Sequence, residues 1–232
     1  MPPTISIVFP MYNEEAYILR AVRAARAVLD EINPDHEIII VDDCSKDRTP
    51  EIADELAKAD PRVKVVHNAV NRKLGGTLRA GYAIATKQLL LYTDADLPFD
   101  LQELPRAVRL LDYQEADVLS AYRFDRTSEG LIRTVYSFFY NSLIRVLFGL
   151  RIKDVNFSFK LFRRALLDKF QLKSEGSLID VEFLVRAQKA GANIIQIGVD
   201  YFPRSRGIST LSSPGVILKI LREMLQLWGE LR

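Results

Sequence analysis

The tripeptide Asp94-Ala95-Asp96 follows directly on the apolar run Leu89-Leu90-Leu91-Tyr92-Thr93. In extended chain, residues i and i+2 project to one side, so both carboxylates leave the end of a core-like segment in the same direction. Like charges placed this way raise each other's pKa unless a cation lies between them. Carboxylates are hard oxygen donors, and Mg²⁺ or Mn²⁺ is typically held by one or two of them together with substrate phosphates. A divalent ion on Asp94 and Asp96 is therefore the favoured reading, ahead of a solvated turn. Two other apolar runs also end in acids: Phe9-Pro10-Met11-Tyr12-Asn13-Glu14-Glu15 and Val41-Asp42-Asp43-Cys44-Ser45-Lys46-Asp47. Each also suits a helix start, where Pro, Asp and Ser are at home and acids oppose the helix dipole. Yet Asp42-Asp43 holds more acid than a cap needs, and one of the two could accept a hydrogen bond from a nucleobase. If the three ends meet, they form a carboxylate-lined crevice that repels phosphate until a divalent ion is present. With the ion, such a crevice accepts a diphosphate and stabilises it as a leaving group.

These residues need a scaffold that brings three chain segments to one edge. Residues 5–10, 36–42, 63–67, 88–93 and 117–121 read as strands, and residues 14–29, 50–59, 77–86 and 101–111 have helical spacing. Alternating strands and helices with wholly apolar strands predict an α/β fold, a parallel sheet with helices on both faces. Ligands of such sheets lie beyond the carboxyl ends of the strands, where the acids sit. The second half is less regular: helices over 131–148, 180–190 and 214–231, strands over 157–162 and 193–201. No repeat or flexible linker interrupts the chain, and a single domain over 1–232 is expected, with sub-regions 1–97 and 98–232 meeting near Leu97.

Composition narrows the class. The chain has 232 residues, 48% hydrophobic and 27% charged, which suits a globular protein with its own core. The single cysteine, Cys44, excludes an intrachain disulfide and fits a reducing compartment. A formal charge of +2 gives no signature of nucleic-acid binding. Its distribution is uneven: residues 1–119 hold 14 basic and 20 acidic side chains, residues 120–173 hold 11 and 4, and the remainder 7 and 6. An acidic first half followed by a basic middle suits metal handling followed by an anionic partner. The apolar start over residues 5–9 reads as a buried strand, not a signal peptide. The nearest approach to a membrane span, residues 131–150, is interrupted by Arg133, Asn141 and Arg145.

The three acidic strand ends, in order and spacing, resemble the inverting family-two glycosyltransferases of GT-A fold. Asn71-Arg72-Lys73-Leu74-Gly75-Gly76-Thr77, followed by Gly81, resembles the branch typified by dolichyl-phosphate mannose synthase, the polyprenyl-phosphate glycosyltransferases. The likeness is close over residues 1–125 and patchy beyond. It implies a Rossmann-like, mostly parallel sheet flanked by helices, with C-terminal amphipathic interface helices. It implies a donor site for a nucleoside diphosphate sugar at Pro10, Tyr12, Glu14, Asp43, Lys73, Asp94 and Ala95. Asp94 and Asp96 would hold the metal, with Asp96 catalytic. Where the branch often places a metal-binding Gln two residues later, this chain has Pro98.

Further matches lie in the basic middle and beyond. Ser120-Ala121-Tyr122-Arg123 resembles the family's Gly-Ser-Arg segment, Arg133 and Ser137 fit an Arg-x-x-x-Ser pattern, and Arg204 stands three before Gly207 in a phosphate-binding segment. The resemblance implies that Arg123, Arg133, Ser137 and Arg204 hold the acceptor phosphate, with Arg123, Arg204 and Asp154 among the catalytic groups. Arginine's planar fork suits phosphate oxygens, although any one of these side chains could simply be a solvated surface group. Asp154-Val155-Asn156-Phe157-Ser158-Phe159-Lys160 matches the family's Asp-x-Thr-Ser-Gly-Phe-Arg/Lys run at Asp154, Phe159 and Lys160, but not at Phe157 and Ser158.

The shortage of bases is compatible with a phosphate acceptor. An alcohol needs a general base, whereas a phosphate monoester, with a second pKa near 6, is already largely ionised. His36 and His67 are the only histidines. Asp180 and Glu182 lie where other family members place a base, and they suit a helix start equally well. The apolar helices over 131–148 and 214–231, with Trp228 at headgroup level, suit either a bilayer interface or packing. The expectation is transfer of mannose or glucose to dolichyl or polyprenyl phosphate by a peripheral enzyme on the cytoplasmic face of a membrane. Mg²⁺ or Mn²⁺ is the expected cofactor, and a membrane-anchoring subunit is a further candidate partner. Two alternatives are a soluble saccharide acceptor, with Asp180 or Asp154 as base, and a non-catalytic nucleotide-sugar-binding module.

Overall fold

The computed structural model describes residues 2–125, 131–203 and 214–231, without the side chains of 131–136 and 214–221. Seven strands form one sheet in the order β3-β2-β1-β4-β6-β5-β7. They are β1 (Ile5–Met11), β2 (Glu37–Asp42), β3 (Val63–His67), β4 (Leu89–Tyr92), β5 (Val118–Arg123), β6 (Lys160–Arg163) and β7 (Ile194–Val199). The helices are α1 (Ile18–Ile32), α2 (Thr49–Ala59), α3 (Lys73–Ile84), α4 (Leu104–Tyr113), α5 (Leu131–Phe148), α6 (Ile179–Lys189) and α7 (Pro214–Leu231).

The wholly apolar strands are buried on both faces, as a sheet covered by helices requires. Along β1, Ile5, Ile7 and Phe9 join one core with α1 and α4 residues such as Val22 and Leu104. Val8 points the other way, into a second core with Leu78 of α3 and Leu184 of α6. Gly81 is the contact point of α3. A Cβ there would lie 2.5 Å from Val8 Cγ1 and 3.0 Å from Val41 Cγ2, so the missing side chain lets the helix rest directly on the sheet.

The parallel expectation holds for β1, β2, β3 and β4, and for β5 with β7. It fails at β6, which runs antiparallel between β4 and β5. This short strand from the second half ties the two halves into one sheet. α3 starts at Lys73, earlier than helical spacing places it, because its first turn contains Gly75-Gly76 and leans on other chain segments instead of its own side chains. α1 starts at Ile18, after a turn in which the Glu14 carbonyl accepts from Tyr17 and Ile18 N–H.

At the opening of β2, Glu37 is buried at 2% exposure. Its carboxylate accepts from Ser6 Oγ at 2.7 Å, Thr86 N–H at 2.7 Å, Thr86 Oγ1 at 3.0 Å and Lys64 Nζ at 2.6 Å. Burial pushes its pKa up, but these donors outweigh burial and leave it below the ordinary 4.5. A depressed folded-state pKa contributes stability above the unfolded value, and that stability is lost as pH falls through the folded value. The stability advantage of wild type over Glu37→Gln is therefore expected in full at neutral pH. Urea denaturation across an acid series should show it shrinking steadily once pH drops below about 4.5.

Candidate active site

Because β1, β2 and β4 are parallel, the loops that follow them share one edge of the sheet. The first two loops are zipped together. Asn13 N–H donates to Ser45 Oγ at 2.9 Å, and Lys46 N–H to Asn13 Oδ1 at 2.8 Å. Glu14 N–H donates to Thr49 Oγ1 at 2.8 Å, and Glu15 N–H to Asp47 Oδ2 at 3.0 Å. Among the described residues, five non-glycines have positive φ, and Asn13, Cys44, Lys73 and Leu97 of these lie in the segments around this edge. Backbone held in such sparsely populated conformations clusters where a site needs fixed geometry.

The adjacent aspartates after β2 divide the two roles that their sequence leaves open. Asp42 serves the loop: it accepts from Ser45 N–H at 3.1 Å and lies 3.0 Å from His67 Nδ1. Burial pushes the His67 imidazole down, but Asp42 and Asp54 outweigh it and hold the pKa above its ordinary value. Asp43 turns toward α3. Its Oδ1 accepts from Asn68 Nδ2 at 2.8 Å and Arg72 N–H at 2.7 Å, and its backbone carbonyl accepts from Asn71 Nδ2 at 3.3 Å. Tyr12 is 46% exposed at the mouth of the crevice, Pro10 is half-buried, and Lys73 is exposed at the start of α3.

Asp94 and Asp96 lie beyond the end of β4 in a turn, not in the extended chain that the sequence suggested, and the charge of Asp96 acts on the Asp94 carboxyl. The Asp94 carboxyl is pushed up to about 7 by burial first, then by the charge of Asp96, with further contributions from Asp180 and Glu14; a hydrogen bond from Ser158 opposes the rise. The charges of Asp96, Asp180 and Glu14 all act on the Asp94 carboxyl, although Lys160 already pairs with Asp180, and a cation would relieve what remains. No group of three or more His, Cys, Asp or Glu suited to a metal occurs among the described residues. Two carboxylates with the remaining positions open to phosphate and water fit Mg²⁺ or Mn²⁺ bound along with a nucleotide, not a metal caged by protein alone. Ala95 is buried in the turn between them, which closes through Leu97 N–H to Asp94 O at 3.3 Å.

Pro98 offers no ligand from its side chain, but its carbonyl accepts from Phe202 N–H at 2.9 Å. That bond brings residues 201–203, the run-in to Arg204, against the Asp94–Asp96 turn. Phe99 anchors the turn by stacking on Phe159 at 4.5 Å between centroids. Arg123 is held tightly: its Nε and Nη2 donate to the Asp154 carboxylate at 2.7 and 3.0 Å, both side chains are buried, and its guanidinium lies 5.5 Å from the Phe157 ring and 5.2 Å from that of Tyr201. Asp154 thus orients Arg123, and the mismatched Phe157 forms one wall of its slot. Ser137 is half-buried on α5. The Arg133 side chain and all of Arg204 lie outside the described residues.

The two acids in the region of a base are engaged. Asp180 lies 2.8 Å from Lys160 Nζ with both side chains buried. Burial raises its pKa, and Lys160 opposes the rise. Glu182, fully buried, accepts from Lys173 N–H at 3.0 Å, Ser174 N–H at 2.7 Å and Arg186 Nε at 2.8 Å. Sequence reading passes over Ser158 as a mismatch to the family motif, whereas the structure sets it on Asp94. Lys160 agrees with the motif, and a lysine next to the apolar Leu161-Phe162 of β6 was the available sign that a buried acid must face it.

A cavity of about 810 Å³ opens at the opposite edge of the sheet, lined by Pro2, Gln88, Arg109 and Arg163 among others. It is remote from the carboxylate pair, so the chemistry is assigned to the crevice.

Comparison with known proteins identifies the fold and the family. Among curated proteins, the chain is 32% identical over 234 residues to glycosyltransferase AglD of Haloferax volcanii, covering 98% of this chain but only 37% of that protein. It is 28% identical to polyprenol monophosphomannose synthase of Mycolicibacterium smegmatis, covering 90% of this chain and 82% of the relative. Among solved structures, glucosyl-3-phosphoglycerate synthase of Mycobacterium tuberculosis, in complex with Mn²⁺, UDP and glucosyl-3-phosphoglycerate, superposes with a TM-score of 0.71 at 21% identity, over 98% of this chain and 80% of that one. The mannosyltransferase PcManGT of Pyrobaculum calidifontis, in complex with GDP-Man and Mn²⁺, gives 0.66 at 19% identity, over 89% of this chain and 59% of that one. These likenesses establish the GT-A fold. The family model for glycosyl transferase family 2 matches residues 6–170, from β1 through β6 and so across the whole carboxylate edge, and the chain belongs to that family.

Proposed function

We propose that the chain is a metal-dependent inverting hexosyltransferase that moves mannose or glucose from a nucleoside diphosphate sugar to a dolichyl or polyprenyl phosphate. The observation that carries this reading is the state of the candidate bases. Asp154 and Asp180 sit in buried ion pairs, and Glu182 is bound by backbone amides. An alcohol would lack a free carboxylate among these three to take its proton. A phosphate acceptor carries its own negative charge and needs none.

In this reading an acceptor phosphate oxygen attacks the anomeric carbon from the face opposite the diphosphate. The new carbon–oxygen bond forms as the bond to the diphosphate breaks, and the electron pair leaves with the diphosphate. Asp94 and Asp96 would hold a divalent cation, which would supply charge neutralisation for that leaving group. Asp43 and Tyr12 line the nucleoside end, and Arg123, oriented by Asp154, meets phosphate together with Arg133, Ser137 and Arg204. The names of relatives support the acceptor class: besides the polyprenol enzyme, an undecaprenyl-phosphate 4-deoxy-4-formamido-L-arabinose transferase of Pectobacterium atrosepticum is 29% identical over 96% of this chain and 66% of that protein.

Action at the cytoplasmic face of a membrane is part of the proposal. No helix among the described residues is long and apolar enough to cross a bilayer. Phe138 and Phe139 on α5 are 67% and 65% exposed, and Leu225 on α7 is 76% exposed. Aromatic and aliphatic side chains on amphipathic helices are the groups that enter a bilayer interface. The test is a panel of GDP- and UDP-sugars with short polyprenyl phosphates and Mn²⁺ or Mg²⁺, paired with liposome co-sedimentation. One donor is expected to give a metal-dependent polyprenyl-phosphate sugar, with the protein pelleting on anionic vesicles. Turnover on soluble saccharides without vesicle binding would overturn the lipid acceptor, and no product with any donor would overturn the enzyme.

A further inference from the structure

The first-turn amides of a helix need acceptors from outside it. In α3 that acceptor is the Glu175 carbonyl, which takes Gly75 N–H at 2.8 Å and Gly76 N–H at 3.3 Å. The approach is so close that a Cβ on Gly75 would lie 2.2 Å from the Ser174 carbonyl oxygen. Segment 173–176 is therefore a strap across the start of α3. Its own backbone is fixed from the far side: Glu182 takes the amides of Lys173 and Ser174, and Glu223 Oε1 on α7 takes Gly176 N–H at 3.0 Å. This end is equally tight, since a Cβ on Gly176 would come within 2.8 Å of Glu223 Oε1. Beyond α3 the connection continues, because Arg72 N–H and Asn71 Nδ2 bind Asp43. An unbroken hydrogen-bonded path leads from the C-terminal helix through the strap and the start of α3 to the aspartate at the nucleoside end of the crevice.

We propose that Glu223 is a positioning residue for the donor side of the crevice, acting through the 173–176 strap that it holds against the first turn of α3. This rests on the donor-site reading of Asp43 and Lys73 given above. Glu223 touches no reacting atom; its role is to keep Arg72 and Lys73 where Asp43 and a nucleotide require them. A contiguous path becomes a coupling only when it is measured.

The decisive measurement is amide hydrogen exchange by NMR on the full chain, read at Gly75, Gly76 and Gly176, alongside Mn²⁺-dependent UDP and GDP binding by calorimetry. Hydrogen bonds to charged acceptors are among the stronger ones, and losing one corresponds to roughly tenfold or more in a local opening equilibrium. In Glu223→Ala, exchange at all three glycines is expected to rise at least about tenfold while sheet amides keep wild-type rates, and nucleotide affinity should fall several-fold. Gly176→Ala, which crowds the carboxylate away, should reproduce both effects, and Glu223→Gln, which keeps an acceptor oxygen, should restore them. If Gly176 alone speeds up, or if wild type binds nucleotide and both alanine variants bind it equally well, the proposal is overturned. If wild type binds no nucleotide, the donor-site reading fails, and exchange at Gly75 and Gly76 still decides whether Glu223 holds this turn. Should Glu223→Ala not fold, Gly176→Ala against Glu223→Gln makes the same comparison.

Discussion

Asp96→Asn is expected to lower glycosyl transfer by ~10³-fold or more while leaving the protein folded. The magnitude follows from several kcal/mol of charge stabilisation on the departing diphosphate, at about 1.4 kcal/mol per tenfold in rate. The folding claim follows from the site's electrostatics. Asp94 is held in a buried position against the charge of Asp96, with Asp180 and Glu14 adding to the repulsion. Removing one of these charges relieves a strain that the metal-free fold carries, so thermal stability should match or exceed that of wild type, while added Mn²⁺ should stabilise the variant much less than wild type. Thermal melts with and without Mn²⁺ and a donor nucleotide separate the outcomes. A variant with near-normal turnover, or one that Mn²⁺ stabilises as fully as wild type, would remove the metal from Asp96.

The second large effect is on stability. In Asp154→Ala the Arg123 guanidinium keeps its slot between Phe157 and Tyr201 but loses both carboxylate bonds. Removing one partner of a buried ion pair strips the other of its compensating charge, at a cost of up to about 3–5 kcal/mol. Urea denaturation should show a loss of that order, and transfer should fall because Arg123 is no longer aimed. The double variant Asp154→Ala/Arg123→Met separates the two consequences. Replacing the whole pair by apolar groups is often close to neutral for stability, so much of the loss should be recovered. Activity should stay low, because the guanidinium itself is gone. Recovered activity in the double variant would mean that the pair serves the fold alone.

Much of the architecture was legible because it is local. Runs such as Ile38-Ile39-Ile40-Val41 can only be buried strands, and their alternation with amphipathic helices leaves few arrangements besides a sheet covered on both faces. The Asp94–Asp96 pair was legible as two acids just past an apolar run, but β4 ends at Tyr92 and the pair lies in a turn, so the extended-chain geometry read from the sequence is not what brings the two charges together. The resemblance to family two carried the reading further, from a metal and a diphosphate to a class of enzyme.

What the sequence by itself determined, then, is which segments are core and which ends are acidic. Only the tertiary structure decided which distant group each polar side chain meets. Arg123 and Asp154 are 31 residues apart, and nothing near either one shows that the arginine expected on acceptor phosphate is clasped by the acid considered as a base. Asp180 is the helix-start acid that its position suggests, and it is also the partner of Lys160 on β6. β6 itself, expected in a parallel sheet, runs antiparallel between β4 and β5, a pairing that no local pattern in its sequence reveals. The strap over α3 joins residues about 100 positions apart through backbone groups that every residue possesses. Hydrophobic burial is written in composition and period, whereas the energy of a charge or an amide depends on what faces it, and that is settled only when the chain closes on itself.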